Sequence, residues 1–279
     1  MTEVAADILL QTRTLAVRDI RCRGTCRHAS PEECASATEL VFPYRGVYTR
    51  HVGRDQAVAE AGQVLFFNAD EGYRIAHPVS GGDACLSFAL SPDLLLELAP
   101  QPLLRRSGRP AFDGQRRRIA PRVHALAAQL RHGLRAGSLE PLAAEDMALT
   151  LVRRALGDRT SQAPAGTAGR RRLVDRAKLV LAADPARRWT LAEIAAQTGG
   201  SPVYLTQSFQ AVEGVPLYRH QLRLRLAQAV DRLPDAPDLT ALALDLGFSS
   251  HSHFTAAFRE AYGRPPSAFR ARRQPVRAR

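Results

Sequence analysis

The stretch from Leu239 to Arg270, LTALALDLGFSSHSHFTAAFREAYGRPPSAFR, limits what this chain can fold into more than any other. Leu239, Leu242, Ala243 and Leu246 fall on one face of a helix, and Gly247 can take the left-handed conformation that ends it. Ser249 or Ser250 can cap a second helix, in which Phe254, Ala257 and Phe258 share the inward face. His251, Ser252, Thr255, Ala256 and Arg259 are left outside, where small and polar side chains suit a groove. Gly263 and the pair Pro265 and Pro266 stop that helix, and Phe269 returns to the core with Arg270 beside it. Two short helices joined by a glycine turn make a helix-turn-helix.

The arrangement occurs once more, about 49 positions upstream. Leu191, Ile194, Ala195, Gly199, Ser201, Leu205, Phe209, Gly214 and Pro216 match, in order, Leu239, Leu242, Ala243, Gly247, Ser250, Phe254, Phe258, Gly263 and Pro265. A one-residue slip in the turn, TGGS against LGFSS, is the only offset. One such motif is weak evidence, whereas two in register, joined by a long helix from about Leu217 to Leu233, are hard to obtain by chance.

RLRLAQAVDRL followed by LALDLGFSSHSHFTAAFREAYGRPPSAFR resembles the C-terminal signature of AraC/XylS-type bacterial transcription regulators. The resemblance is close from about Arg170 onward, and earlier it holds only in layout. It implies promoter DNA as a partner, a homodimer, contact with RNA polymerase, activation in preference to repression, and a cupin-like effector or dimerisation domain at the N-terminal end.

A chain of 279 residues with 45% apolar content can hold two domains with cores. No run of about 18 apolar residues occurs, and MTEVAADILLQTRT has acidic residues without a sustained apolar core. Neither a membrane span nor a signal peptide is predicted, and a cytoplasmic location is the default. The net charge of +12 is unevenly placed, with 18 basic and 9 acidic residues from Arg170 onward against 21 and 18 before it. A cationic helical region implies a polyanion partner, because side chains that displace condensed counterions supply most sequence-independent DNA affinity. Charge alone serves solubility equally well, and it is the doubled helix-turn-helix that turns it toward double-stranded DNA. Lys178 is the only lysine among the basic residues, which reads as composition bias.

Thr14 to about Leu90 reads as β structure. TLAVRDIRC alternates, ELVFPYRGVYTRH has two short apolar runs around Pro43 and Gly46, and GQVLFFN, EGYRIAHP and ACLSFAL follow between turns. Several short strands at this spacing suggest a small barrel or sandwich. Which of Phe42, Tyr44, Tyr48, Phe67 and Tyr73 face its interior is left open by the sequence. Metal-binding cupins place closely spaced histidines on one strand, whereas His51 and His77 stand alone and read as surface or hydrogen-bonded residues.

Pro92 to Ala99 reads as a short helix and Leu103 to Gln115 as a basic connection. Two amphipathic helices follow, Ile119 to Leu134 with the stripe Val123, Leu126, Ala127, Leu130 and Leu134, and Leu139 to Leu156 with Leu142, Met147, Leu149, Leu151 and Val152. The pair packs on its own barrel or forms a dimer interface. Residues 157 to 169 lack large apolar side chains and read as a linker, and Leu173 to Ala183 begins the next domain. The expected fold is therefore α+β in two domains. A β-rich cupin-like barrel (1–114) carries a helical pair (115–157), and after a linker (158–170) comes an all-α domain with two helix-turn-helix motifs (171–273).

Recognition helices read base edges in the major groove. In the first unit Tyr204, Leu205 and Phe209 are expected inward or at the edge, which leaves Val203, Thr206, Gln207 and Gln210 as the reading face. Gln207 suits adenine and Val203 a thymine methyl. In the second unit His251, Ser252, Thr255, Ala256 and Arg259 are the candidates. Ala256 departs from the family pattern, where a longer polar or basic residue is common, so the second unit is expected to read fewer bases.

Cys22, Cys26, Cys34 and Cys85 all lie in the N-terminal part. Three readings stay open. They are small buried residues, or a thiol switch in which Cys22 or Cys26 reaches Cys85, with Arg21, Arg23 and Arg27 favouring the thiolate, or a metal site that includes His28. The cysteine spacing is not a clean zinc pattern. No catalytic motif is present, no cofactor is called for, and His124 and His132 have no carboxylates at metal spacing. The chain thus reads as a DNA-binding transcription regulator, not an enzyme, controlled by a domain that responds to a small molecule or to thiol oxidation. Its alternatives are a metal-responsive regulator using the cysteines and a non-regulatory DNA-binding protein.

Overall fold

The computed structural model describes residues 4–24, 27–106, 108–157 and 166–270. In chain order the strands are β1 (Val4–Gln11), β2 (Leu15–Cys22), β3 (Glu33–Cys34), β4 (Glu39–Gly46), β5 (Tyr48–Val52), β6 (Asp55–Ala59), β7 (Gln63–Phe67), β8 (Gly72–Ala76), β9 (Asp83–Leu90) and β10 (Arg116–Arg118). They form a six-stranded sheet in the order β1-β2-β9-β4-β7-β10 and a four-stranded sheet in the order β3-β8-β5-β6. Neighbouring strands in both sheets pair antiparallel.

Side-chain alternation along β4, β7 and β9 explains their nearly continuous burial. Leu40, Phe42, Phe66 and Phe88 point into a core shared with the helices α1 (Pro92–Leu98), α2 (Pro121–Arg135) and α3 (Pro141–Gly157). The alternate residues Val41, Leu65, Phe67 and Cys85 pack instead with Tyr48 and Ala59 of the second sheet. Helices, large sheet and small sheet thus make three layers. The expected barrel is not closed, because the large sheet ends at β1 and β10 and the small one at β3 and β6.

The sequence reading passed over β1, whose side chains are mostly exposed and carry no inward stripe. In α3 the stripe differs from expectation. Leu142 is 79% exposed, and the buried positions are Ala144, Ala148, Leu151, Val152, Ala155 and Leu156. Leu151 and Val152 pack as expected and Met147 and Leu149 pack in part, while alanines at helical spacing, which the expected stripe omits, let α3 lie close to α2.

The C-terminal helices are α4 (Ala168–Ala183), α5 (Leu191–Thr198), α6 (Pro202–Glu213), α7 (Leu217–Arg232), α8 (Leu239–Asp245), α9 (His251–Tyr262) and α10 (Pro266–Arg270). Helix α4 starts five residues before the expected Leu173, with Thr167 Oγ1 accepting from Arg170 N; most of the anticipated linker, residues 158–165, lies outside the described residues. Two small cores result. Leu173, Val174, Ile194, Leu205, Phe209 and Leu224 pack the first unit, and Leu226, Val230, Leu242, Phe254, Phe258 and Phe269 pack the second. Helix α7 contributes to both. Ala125 and Ala128 of α2 belong to the second core, so one face of the anticipated helical pair is covered by this chain's own second unit.

Candidate nucleic-acid interface

Each helix-turn-helix is built by caps that the sequence supplies. Thr190 and Glu193 form a reciprocal capping box at the start of α5, Ser201 caps α6 through Tyr204 N, and Ser250 caps α9 through His253 N. Gly199, Gly214, Gly247 and Gly263 all hold left-handed φ. At Gly247 a second constraint acts, since a Cβ there would collide with the Ala186 carbonyl.

That contact brings the loop before α5 against the turn of the second unit, and Arg225 of α7 fixes it. Its guanidinium donates to the carbonyls of Pro185 (2.7 Å), Ala186 (3.1 Å), Arg187 (3.0 Å) and Gly247 (2.9 Å). Gln221, one turn earlier, donates to Pro185 and Arg187. The planar fork of arginine can serve four carbonyls at once, which a lysine could not. Sequence reasoning missed this residue among many arginines.

On α6 the side chains of Val203, Thr206, Gln207 and Gln210 are exposed while Leu205, Ser208 and Phe209 are buried. Tyr204 is 43% exposed, with the Arg170 guanidinium 5.9 Å from its ring centre, so it belongs to the outer face. Thr206 Oγ1 donates back to Pro202 O at 2.9 Å. On α9, His251, Ser252, Ala256 and Arg259 are exposed and Thr255 half-buried, and these five share one open groove with Glu260.

The two halves of the chain meet through buried charge. Lys178 of α4, fully buried, places Nζ 2.8 Å from both Glu60, after β6, and Glu213 of α6. His220 of α7 faces the second oxygen of Glu60 at 3.1 Å. Burial pushes the Glu60 carboxyl upward, but the His220 and Lys178 charges outweigh it and hold it well below the usual carboxylate range. The sole lysine is therefore the centre of an interdomain cluster and not a by-product of composition. A second cluster joins Arg131 of α2 and Arg45 of β4 to Asp231 of α7, at 2.5 and 2.9 Å. Arg131 also lies 3.8 Å from the ring centre of Tyr44, whose hydroxyl donates to Asp19.

The N-terminal domain holds a cavity of about 340 Å³ between its sheets. Of the aromatics left open by the sequence, Tyr48, Phe67 and Tyr73 line it, while Phe42 joins the helix-facing core and Tyr44 the interface. Cys22, Cys34 and Cys85 also line it, and Cys26 lies outside the described residues. Cys22 stands opposite Asp83 across β2 and β9, so Cys85 is its diagonal neighbour. Diagonal Cα atoms are about 7–8 Å apart, beyond ordinary disulfide reach. Burial, then the charge of Asp83, pushes the Cys85 thiol well above its ordinary value, which disfavours the reactive thiolate. The anticipated metal partner His28 is not in the group that the structure gathers, which is Cys22, His77 and Asp83.

Two capped helix-turn-helix units on a common helix, one face of each left polar and open, define a DNA-binding protein. A helix-turn-helix domain family model matches residues 194–272. Among curated proteins, one from Streptomyces antibioticus described as an AraC-like transcription regulator is 29% identical over 79% of this chain and 74% of its own length. A second of the same description, from Streptomyces lividans, is 28% identical over 89% of this chain and 84% of its own. A solved Chromobacterium violaceum regulator, an AraC-type DNA-binding domain protein, is 28% identical over 39% of this chain and 99% of its own, with a TM-score of 0.36. The chain is thus similar to AraC-like transcription regulators along most of its length, and its residues 194–272 match a helix-turn-helix domain. Among the described residues no helix is long and apolar enough to cross a membrane.

Proposed function

We propose that the chain binds promoter DNA through α6 and α9 and that its β domain controls this binding in response to a small, largely apolar molecule. The side chains that read DNA on this view are Val203, Thr206, Gln207 and Gln210 in the first unit, and His251, Ser252, Thr255, Ala256 and Arg259 in the second. The observation that carries the reading is the exposure of both faces on units held together by α7 and Arg225. The effector reading rests on the partly open cavity whose aromatic and aliphatic walls, Val41, Tyr48, Phe67, Tyr73 and Ile75, stand beside the polar and charged Arg18, Glu39, His77 and Asp83. Its occupation would reach the DNA-binding helices through Glu60 and Lys178, the buried contact between the two halves. Thiol oxidation has less support, because Cys85 is held protonated. The chain acts as a homodimer and activator on this reading, with RNA polymerase as a second partner.

Footprinting on the DNA upstream of the chain's own gene tests it. The expected result is protection of two segments about one helical turn apart, weakened by Gln207→Ala and Arg259→Ala. Protection of no discrete site, or of segments half a turn apart, would overturn it.

A further inference from the structure

We infer that Cys22, His77 and Asp83 form a binding site for a divalent cation of borderline softness, best matched by Zn²⁺. The site lies in the wall of the N-terminal cavity and does not depend on that cavity admitting an effector, nor on the DNA-binding reading.

The three residues come from separate places in the fold. Cys22 ends β2, Asp83 begins β9 directly opposite it, and His77 follows β8 of the other sheet. An ion here would bridge the two sheets at their open end. The sulfur, nitrogen and oxygen donor atoms lie within 4.8 Å of one another. A tetrahedral zinc with bonds of about 2.0–2.3 Å holds its ligand atoms roughly 3.3–3.6 Å apart, so the His77–Asp83 pair, at 2.6 Å, opens and Cys22 draws in, adjustments that side-chain rotation supplies. Mixed S, N and O ligands suit zinc better than the all-oxygen preference of calcium or magnesium.

A second observation points to a ligand. His77 is 3% exposed, lines the cavity, and its Nδ1 has no hydrogen-bond partner, although a buried polar nitrogen normally has one. Its Nε2 lies 2.6 Å from Asp83 Oδ1, and Cys85 Sγ donates to Asp83 Oδ2 at 3.3 Å, so the carboxylate is oriented from both sides. The backbone is shaped to allow the approach. Gly24 and Gly82 have left-handed φ, and a Cβ on Gly82 would collide with the Cys22 carbonyl. Gly24 N donates to Cys22 Sγ at 3.4 Å; on binding, the thiol proton leaves to solvent and sulfur takes the ion.

The other group of ligand types, Glu60, Glu213 and His220, already holds a cation, the Lys178 ammonium, and has no room for the same role.

The test uses the full chain, reduced and stripped with a chelator, then titrated with Zn²⁺ against a chromophoric competitor and, separately, with Co²⁺. One zinc per chain is expected in the unaltered protein and in Cys34→Ser, with a near-ultraviolet thiolate-to-cobalt charge-transfer band. Cys22→Ser and His77→Gln should each weaken binding more than about 100-fold, and Asp83→Asn about 10–100-fold. Circular dichroism checks that each variant folds, and the cobalt spectrum of the unaltered protein stands whatever the variants do. Absence of tight zinc binding, or of the thiolate band, overturns the proposal. So does loss of zinc in Cys22→Ser alone with His77→Gln unchanged, which would place the ion in the Cys22 to His28 segment. Loss of zinc in Glu213→Gln with Cys22→Ser unchanged would place it at the interdomain cluster.

Discussion

The two helix-turn-helix units share a plan and differ in what holds them to the rest of the molecule. The first is fastened to the β domain by charge, through Lys178 between Glu60 and Glu213 with His220 beside them. The second is fastened to α2 mainly by apolar packing of Ala125 and Ala128 on a core of Phe248, Phe254, Phe258 and Phe269, with Asp231 of α7 pairing Arg131 and Arg45 beside it. Buried charges are strong only while each has its partner, whereas apolar contacts fail gradually. A domain attached through the first kind of contact can be released by displacing one group. A unit held by apolar packing as well as by charge yields less readily, so control from the β domain is expected to act first on α6.

The largest effects separate the two attachments. Lys178→Met removes the cation that Glu60 and Glu213 share, leaving His220 and Arg118 as their remaining partners, and should cost about 3 kcal/mol in urea unfolding. Adding Glu60→Gln and Glu213→Gln to that variant should restore most of the loss. Phe258→Ala should cost a similar amount, about 3–5 kcal/mol, with no rescue by any change of charge. If the triple replacement is no better than Lys178→Met alone, the charged cluster is not what attaches the first unit. Next in size is Arg225→Met, which leaves the carbonyls of Ala186 and Gly247 without their side-chain donor. A loss of about 2–3 kcal/mol is expected, and DNA affinity should fall even where the protein remains folded, because the two units lose their relative setting.

Acid should weaken the attachment of the second unit. Burial of His124 on α2, with Arg131 adding to it against the opposing pull of Asp231, draws the imidazole from 6.5 down to about 4. The unfolded chain therefore takes up a proton that the folded chain refuses, and stability is full above about pH 6.5 and falls as pH drops toward 4. Between pH 7 and pH 5 the loss from this group is about 2 kcal/mol, and His124→Gln should remove that part of the slope. An unchanged slope in His124→Gln would show that the acid sensitivity arises elsewhere.

How much of this was legible follows from where each signal lives. The helix-turn-helix units were readable to the residue because caps, left-handed glycines and inward aromatics are local, and Ser201, Gly247 and Phe258 do what their spacing implies. The β half was readable only as strands. Register decides that Cys22 faces Asp83 rather than Cys85, and register is set by long-range pairing that no local pattern records. The interface was invisible for the same reason, since Glu60, Lys178 and His220 are 118 and 42 positions apart in turn. A lone lysine among arginines is the one signal available in the sequence, and by itself it does not separate composition bias from a buried partner. His77 stood alone in the sequence and became part of a cluster only when the two sheets were brought together.

The smallest effects are expected at the DNA itself, and they bear on the reading faces of the same two units. The first face carries Gln207 and Gln210, long side chains able to make paired hydrogen bonds with a base, while the second has Ala256 at its centre and relies on His251, Thr255 and Arg259 around it. Thr255 is half-buried and its hydroxyl lies 3.5 Å from His251 Nε2, which leaves it less free to reach a base. Gln207→Ala should therefore cost about 1–2 kcal/mol of operator affinity and relax the preference at one base pair. Arg259→Ala should weaken binding by a similar amount and relax the preference at a base pair under α9. Base changes under the second unit should be better tolerated than those under the first. If instead the half of the operator bound by α9 is the more discriminating, the small residue at 256 admits a base edge closely rather than leaving it unread, and the ranking of the two units reverses.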